Sequence, residues 1–450
     1  MSDWSIDKVL RELEVPLEER NPKMTLEILE HLHNADIAEL FDEIYLEDQL
    51  FILSVLDNED SAAVLLELEE EDRRKLLQNL SSKQIAEEVI DELESDDAAD
   101  VLSELEEDKK QEVISEILDE EHAKDIVDLL RYDEDTAGGL MGKELVKVNA
   151  NWSVIRAVKE MRKQAEDMEE VYSIYVVDDH DKLLGTLSLK SLLTTSSRTQ
   201  IADVFNPKFH YVAINDTAED VANDIQKYDR FEMPVLDERG TLVGHITMDD
   251  VLDFIRDEAE KDYQLASGIS EDVDMHDSIW DLTKARLPWL LIGVVGSLIS
   301  SRILDGNLTA MNKIPMLILF IPLIAATAGN MGVQSSAIVV QALAMGNMRG
   351  SMWSNLLREI SMGIISGVAL SVILFGFSYI LYGDLWAGLT ISISLFSVVL
   401  VAAIIGTLIP LILEKRGINP AIATGPFITT SNDVLGISIY FLVARMILDI

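Results

Sequence analysis

The rhythm of hydrophobic positions along the 450 residues changes twice, dividing the chain into three stretches. Between residues 44 and 130, Ile44, Leu68, Leu93 and Ile117 recur at intervals of 24, 25 and 24, with Leu56, Leu80 and Leu105 midway. Acidic runs at 46–48, 70–72, 96–97 and 120–121 follow the first series and read as turns. A unit this short cannot bury a core alone, so the pattern predicts pairs of short helices stacked into an α-superhelix. From about residue 132 the pattern is mixed. The β-rich runs 171–178 and 231–237 are each followed by a turn, a second strand (183–188 and 242–247) and a helix, which predicts a duplicated βαββα unit. Beyond residue 280 the chain is apolar for lengths that cross a bilayer, about 20 residues each. Five crossings are predicted, at 285–304, 314–343, 358–382, 388–413 and 420–447. Pro315, Pro322, Gly329 and Gly332 predict kinks or a break in the second.

Charge sharpens the same boundary. The formal net charge is −44, and it is confined to one part: residues 1–280 hold 73 acids and 27 bases, residues 281–450 only 7 and 9. A surface this acidic repels phosphate backbones and argues against nucleic acid as a partner, whereas it favours cations. The absence of cysteine excludes disulfides, zinc thiolates and a cysteine nucleophile. The charged N-terminus has no apolar core of a cleaved signal, so the acidic part is expected in the cytoplasm. Basic residues agree: Lys284, Arg286, Arg349, Arg358, Lys415 and Arg416 fall on that side, against Arg302, Lys313 and Arg445 on the other. An odd number of crossings puts Ile450 outside.

Of the seven acids after residue 280, Asp281, Asp305, Glu359, Asp384, Glu414 and Asp449 are read at span ends or in loops, which leaves Asp433 alone in the membrane. An ionised carboxylate there needs water, a cation or a partner, and is a functional residue by default. Gly425, Pro426, Thr429, Thr430, Ser431 and Asn432 give its helix a small, polar approach; Asn330, Gln334, Ser335 and Ser336 supply polar groups from the second span. Asn330, Gln334, Thr430 and Asn432 are the expected pore-lining residues.

The duplicated βαββα unit resembles a tandem pair of CBS domains, modules that often bind adenine nucleotides. In the second copy Gly244, Thr247 and Asp250 match the glycine, hydroxyl and ribose-binding aspartate of that pattern; in the first, Gly185 and Ser188 fit but Ser191 replaces the aspartate. An acidic stretch follows, with acids at 249, 250, 253, 257, 258, 260 and 262 that nearly ring a helix leading to the first span.

In this order the parts resemble the MgtE family of magnesium channels, through AspThrAlaGlyGlyLeuMet at 135–141, GlyAsnMetGlyValGlnSer at 329–335 and SerAsnAspValLeuGly at 431–436. The resemblance implies a homodimer with its pore on the two-fold axis, Asp433 contributed by both subunits, and cytosolic Mg2+ that holds the pore shut. The regulatory metal positions it implies are Asp96 and Asp100, Glu219 and Asp229, and Asp250, Asp253, Glu258 and Asp262. Three positions depart: family acids fall on Ala63 and Lys261, and an asparagine near the cytoplasmic pore entrance falls on Gly425.

The expected fold is therefore multi-domain: an all-α acidic superhelix (1–131), an α/β CBS pair (132–257), an acidic connecting plug helix (258–280) and a five-helix membrane domain (281–450). The expected function is Mg2+ uptake across the plasma (inner) membrane, with Mg2+ and an adenine nucleotide such as ATP as ligands. A carrier of Co2+ or Mn2+ and a non-conducting membrane-anchored metal or nucleotide sensor remain open. No nucleophile is joined to a base, so an enzyme is not expected.

Overall fold

The computed structural model describes residues 5–448 apart from 167, 169–170, 271–272, 274–277, 345–347 and 349–350. Arg349 and Ile450, used above to orient the chain, and Asp449 lie outside the described residues. The chain divides into two compact units, Met1–Ile255 and Arg256–Ile450.

The first unit opens with ten short helices, α1 (Ile6–Glu18) to α10 (Glu120–Leu129). Successive repeats start at α4 (Leu46–Leu53), α6 (Glu70–Asn79), α8 (Ser95–Ser103) and α10, so each unit is two helices long, as its period requires. The acidic runs are not turns. Glu47 and Asp48, Glu70 to Asp72, Asp96 and Asp97, and Glu120 and Glu121 form the first turns of those four helices, where the exposed N–H groups and the helix dipole favour negative charge. The repeating leucines face inward, with Leu56, Leu68, Leu93 and Leu105 buried. Helices of two or three turns are marginal alone, and stacking supplies what they lack. Arg73 ties two repeats together, donating from Nε to Glu104 at 2.8 Å and from Nη1 to the Leu66 carbonyl at 3.0 Å.

The βαββα reading holds in both copies. β1 (Val146–Asn149), α11 (Val154–Gln164), β2 (Ile174–Val177), β3 (Leu183–Leu187) and α12 (Leu189–Thr194) form the first; β4 (Val212–Ala213), α13 (Ala218–Tyr228), β5 (Glu232–Leu236), β6 (Leu242–Thr247) and α14 (Met248–Ser267) form the second. In each sheet the first pair is parallel and the second antiparallel. The second copy shares one hydrophobic core with the superhelix, while the first keeps its own. The seam is the AspThrAlaGlyGlyLeuMet segment. Ala137 and Gly138 donate to the Asp216 and Ile214 carbonyls at 2.8 and 3.0 Å, and a Cβ on Gly139 would fall 2.4 Å from the Asp133 carbonyl.

Among the described residues the second unit holds five helices of spanning length: α15 (Ile279–Asp305), α17 (Met316–Ala344), α18 (Met352–Tyr382), α19 (Leu385–Glu414) and α20 (Gly425–Leu448), with short α16 (Leu308–Lys313) between the first two. The predicted break lies before the second span, at Pro315, and α17 then runs unbroken through Pro322. Gly329 and Gly332 are packing sites instead: Thr429 and Asn432 of α20 lie over them, and the Gly332 carbonyl is 2.5 Å from where a Cβ on Gly406 of α19 would stand. The connecting helix also differs from expectation. It is α14, the last helix of the second CBS copy, and it stops at Ser267. Arg445 near the end of α20 donates to the Gly306 carbonyl after α15, and Lys415 after α19 meets Met352 at the start of α18.

Candidate functional site

Asp433 stands on the third turn of α20, about 12 Å of rise from Gly425. It borders a cavity of about 210 Å³ lined by Gly293, Gly296, Ser297, Ser300, Ser301 and Leu304 of α15, Ala325 of α17, and Thr430 and Ile437 of α20. Among the described residues no cation and no hydrogen-bond donor pairs with its carboxylate. The α15 residues were not anticipated from sequence. Their signal was present, because 293, 296, 297, 300 and 301 share one helical face with nothing larger than serine on it.

The other expected pore residues divide. Thr430 lines the cavity. Asn330 and Gln334 lie one turn apart on an exposed face of α17. Asn432 turns away: it is 2% exposed, its amide lies over Gly332, and the amide nitrogen has no partner among the described residues. Nor is Asp433 the sole carboxylate within the spans. Because α18 starts at Met352 rather than 358, Glu359 lies two turns inside it, buried, and accepts a 2.5 Å hydrogen bond from Ser335 of α17.

A second concentration of carboxylates lies in the first unit. Glu94, Asp96 and Glu144 offer oxygens within 4.8 Å of one another, and Glu144 is fixed by the Ser95 amide and hydroxyl at 3.1 and 2.7 Å. Desolvation, then the charges of Asp250 and Asp97, hold the Asp96 carboxyl well above the usual range. Burial, followed by Asp250 and Asp100, pushes Asp97 up to about 7. Asp100 is also raised to about 7, by desolvation and then Glu134, with Arg73 opposing. Asp250 is raised by burial, even though the Thr247 amide and hydroxyl donate to it at 2.8 and 2.6 Å. These groups face one another without enough positive charge, a state that a proton or a divalent cation relieves.

The remaining regulatory candidates lie on α13 and α14. Glu219 is in the first turn of α13 and Asp229 is its left-handed C-cap, about 15 Å away along the helix. Asp253 lies on α14. Glu258 accepts from Lys261 at 3.1 Å, and Asp262 accepts from Asn419 at 2.8 Å.

At Gly244, Thr247 and Asp250, the expected nucleotide residues, the chain packs closely. Met141 and Gly142 cover Gly244, with the Gly142 carbonyl 2.7 Å from a Cβ position there, and Gly142 exchanges both backbone hydrogen bonds with His245. A cavity of about 310 Å³ lies elsewhere in the CBS pair, lined among others by Tyr172, Tyr175, Lys208, His210, Asp229, Arg230, Phe231 and Glu232. Tyr172 and Phe231 stand nearly parallel, 10° apart, with ring centroids separated by 6.4 Å. The Lys208 and Arg230 cations line the same cavity.

Comparison with known proteins places these parts. A family described as divalent cation transporter, MgtE, matches residues 321–443; the MgtE intracellular N domain matches 32–135; and CBS domains match 137–198 and 201–257. The magnesium transporter MgtE of Thermus thermophilus is 33% identical across 98% of this chain and 99% of its own length, and that of Enterococcus faecalis 34% identical across 70% of each. Among solved structures, the soluble part of a magnesium transporter is similar over 57% of this chain and all of its own (TM-score 0.52, 30% identity). The cytosolic domain of the Mg2+ channel MgtE in complex with ATP is similar over 54% of this chain and 99% of its own (TM-score 0.52, 36% identity).

Proposed function

The chain belongs to the MgtE family of magnesium transporters, multi-pass membrane proteins with cytosolic N-terminal domains, and on that footing we propose that it is a homodimeric Mg2+ channel closed by cytosolic Mg2+. The observation that carries this reading is Asp433, a carboxylate without a partner bordering a cavity of hydroxyls and glycines. Mg2+ holds its octahedral water shell tightly. Asp433 from each of two subunits attracts the hydrated ion, and Ser297, Ser300, Ser301 and Thr430 take up its water hydrogens. The acidic face of Asp96, Asp97, Asp100 and Asp250 is the sensor, since bridging Mg2+ relieves the repulsion that otherwise strains it. A ligand biases such an equilibrium only by its differential affinity for the two states, and a face built of mutually raised carboxyls supplies that difference. On this reading the C-terminal end of α20 faces outside in the plasma (inner) membrane, which the distribution of basic residues supports.

Purified protein in liposomes, followed by a Mg2+-sensitive dye inside, tests this reading. Mg2+ entry that excess Co2+ or Mn2+ does not compete away supports a Mg2+ channel; entry abolished by either favours the other divalent ions, and no entry at all favours a sensor.

For the nucleotide, the reading rests on the stacked pair and its cations: an adenine base between Tyr172 and Phe231, phosphates toward Lys208 and Arg230. The ATP-bound relative supports that ligand class. Base stacking on an aromatic ring contributes roughly 1–3 kcal/mol. Phe231→Ala is therefore expected to weaken ATP binding to the full-length protein about tenfold or more by calorimetry, while Thr247→Val leaves it unchanged. The reverse result moves the site to Gly244, Thr247 and Asp250.

A further inference from the structure

The connecting helix ends on the pore domain through contacts that need no metal. Asn419 Nδ2 donates to Asp262 Oδ1 at 2.8 Å, and Asn419 Oδ1 accepts from the Ala421 amide at 2.8 Å, so one amide both grips α14 and caps the 3-10 turn Pro420–Ala423 that leads into α20. Two further points of contact follow in order. Gly425 has a φ of +52° and lies so close to the end of α14 that a Cβ would stand 2.2 Å from the Ala266 carbonyl; Gly268, at φ +81°, presses on Pro426, with a Cβ position 2.6 Å from its Cγ. Ser270 then donates its amide and hydroxyl to the Ala285 carbonyl of α15, each at 2.9 Å. Gly425 is the position where the resemblance expects an asparagine. No side chain fits there, and the amide that bonds α14 comes from Asn419 instead.

We propose that the Asn419–Asp262 hydrogen bond is a latch within one subunit, which seats the last turns of α14 on the entrance to α20, and that Asp262 serves as the acceptor of the latch rather than as a Mg2+ ligand. This rests on the gating reading above. A charge-assisted bond is among the stronger hydrogen bonds, and its loss shifts the gate toward open.

The test measures the cytosolic Mg2+ needed for half-closure in liposomes. Asn419→Ala raises it about tenfold, the shift that about 1.4 kcal/mol produces. Asn419→Asp raises it further by setting two carboxylates together. The exchange Asp262→Asn with Asn419→Asp restores the donor–acceptor pair with its polarity reversed and returns the threshold to that of the unaltered protein; a misfolded single variant is not rescued this way. An unchanged threshold in Asn419→Ala, or an exchange no better than Asp262→Asn alone, overturns the latch. Because the chain has no cysteine, Asp262→Cys with Asn419→Cys gives an independent reading through a short, reducible bifunctional thiol cross-linker, since residues that meet through a side-chain hydrogen bond stand too far apart for a direct disulfide. The cross-link is expected to form within one subunit and to hold flux low at zero Mg2+ until reduction. Failure to form it overturns the latch alone, whereas a cross-linked protein that conducts overturns the gating reading too.

Discussion

Asp433→Asn is expected to cut Mg2+ flux in liposomes by about 100-fold or more, while the protein stays folded. The side chains are nearly the same size, so packing against α15 changes little. What disappears is charge in a poorly screened site. Two unit charges 4 Å apart interact by about 4 kcal/mol at an effective dielectric of 20; a divalent ion doubles this, and its water shell, by adding distance, gives back roughly half. Each 1.4 kcal/mol is a factor of ten, and a dimer loses two carboxylates. Asp433→Glu keeps the charge and should retain part of the flux. Ser297→Ala and Thr430→Val remove only contacts to the ion's water and should cost a few-fold. Removal of an unpaired membrane carboxylate should also leave thermal stability equal or higher, which separates lost permeation from lost folding. Flux within a few-fold of normal in Asp433→Asn would place the ion path elsewhere.

The membrane spans were legible because hydropathy and length fix them without tertiary information, and Asp433 was legible because a charge in an apolar run is visible in one dimension. What sequence could not decide is which way neighbours point. Asn432 and Asp433 are adjacent, about 100° apart around the helix, and only the packing of α17 and α15 shows that the first lies over Gly332 while the second borders the cavity. Glu359 was misplaced because the adjacent charges of Arg358 and Glu359 read as the edge of an apolar run, whereas α18 already starts at Met352. The repeat of the superhelix was correct in period, yet its acids were assigned to turns because an acidic tripeptide after a leucine reads equally as a loop or as a helix start. The close packing around Gly244 comes from a long-range event, the strand-like pairing of Gly142 with His245, which no local motif announces. The stacked Tyr172 and Phe231 are 59 positions apart in the chain, and nothing in either segment alone marks them as a pair.

Mg2+ binding to the cytosolic part is expected to weaken steeply on acidification, and the carboxyl environments fix the sign. Asp97 and Asp100 have an ordinary value of 3.8 and are pushed up to about 7 in the folded protein. Between those limits the folded state binds more protons than the unfolded one, so without metal the fold loses stability as pH rises from about 4 to about 7. His245 acts in the same direction near the top of this window: burial opposes its charge, but the hydrogen bond and charge of Glu232 outweigh it and raise its value. Asp178 and Asp237 are lowered, by turn amides in the one and against its slight desolvation in the other, so they act below about pH 4 and outside the window. Mg2+ competes with the protons on the acidic face. Its apparent affinity should fall about tenfold per pH unit below 7 for each proton displaced, and binding at pH 6 should release protons, seen as a dependence of the calorimetric heat on the buffer's ionisation enthalpy. Asp97→Asn should remove one displaced proton and flatten the profile, whereas His245→Gln should leave the slope between pH 5 and 6 intact. An affinity independent of pH from 5.5 to 7.5 would mean that the crowded carboxyls are not the ones that hold the ion. A falling affinity makes the gate a reader of acidity as well as of Mg2+, because a proton relieves the same repulsion that the metal does without bridging two carboxylates.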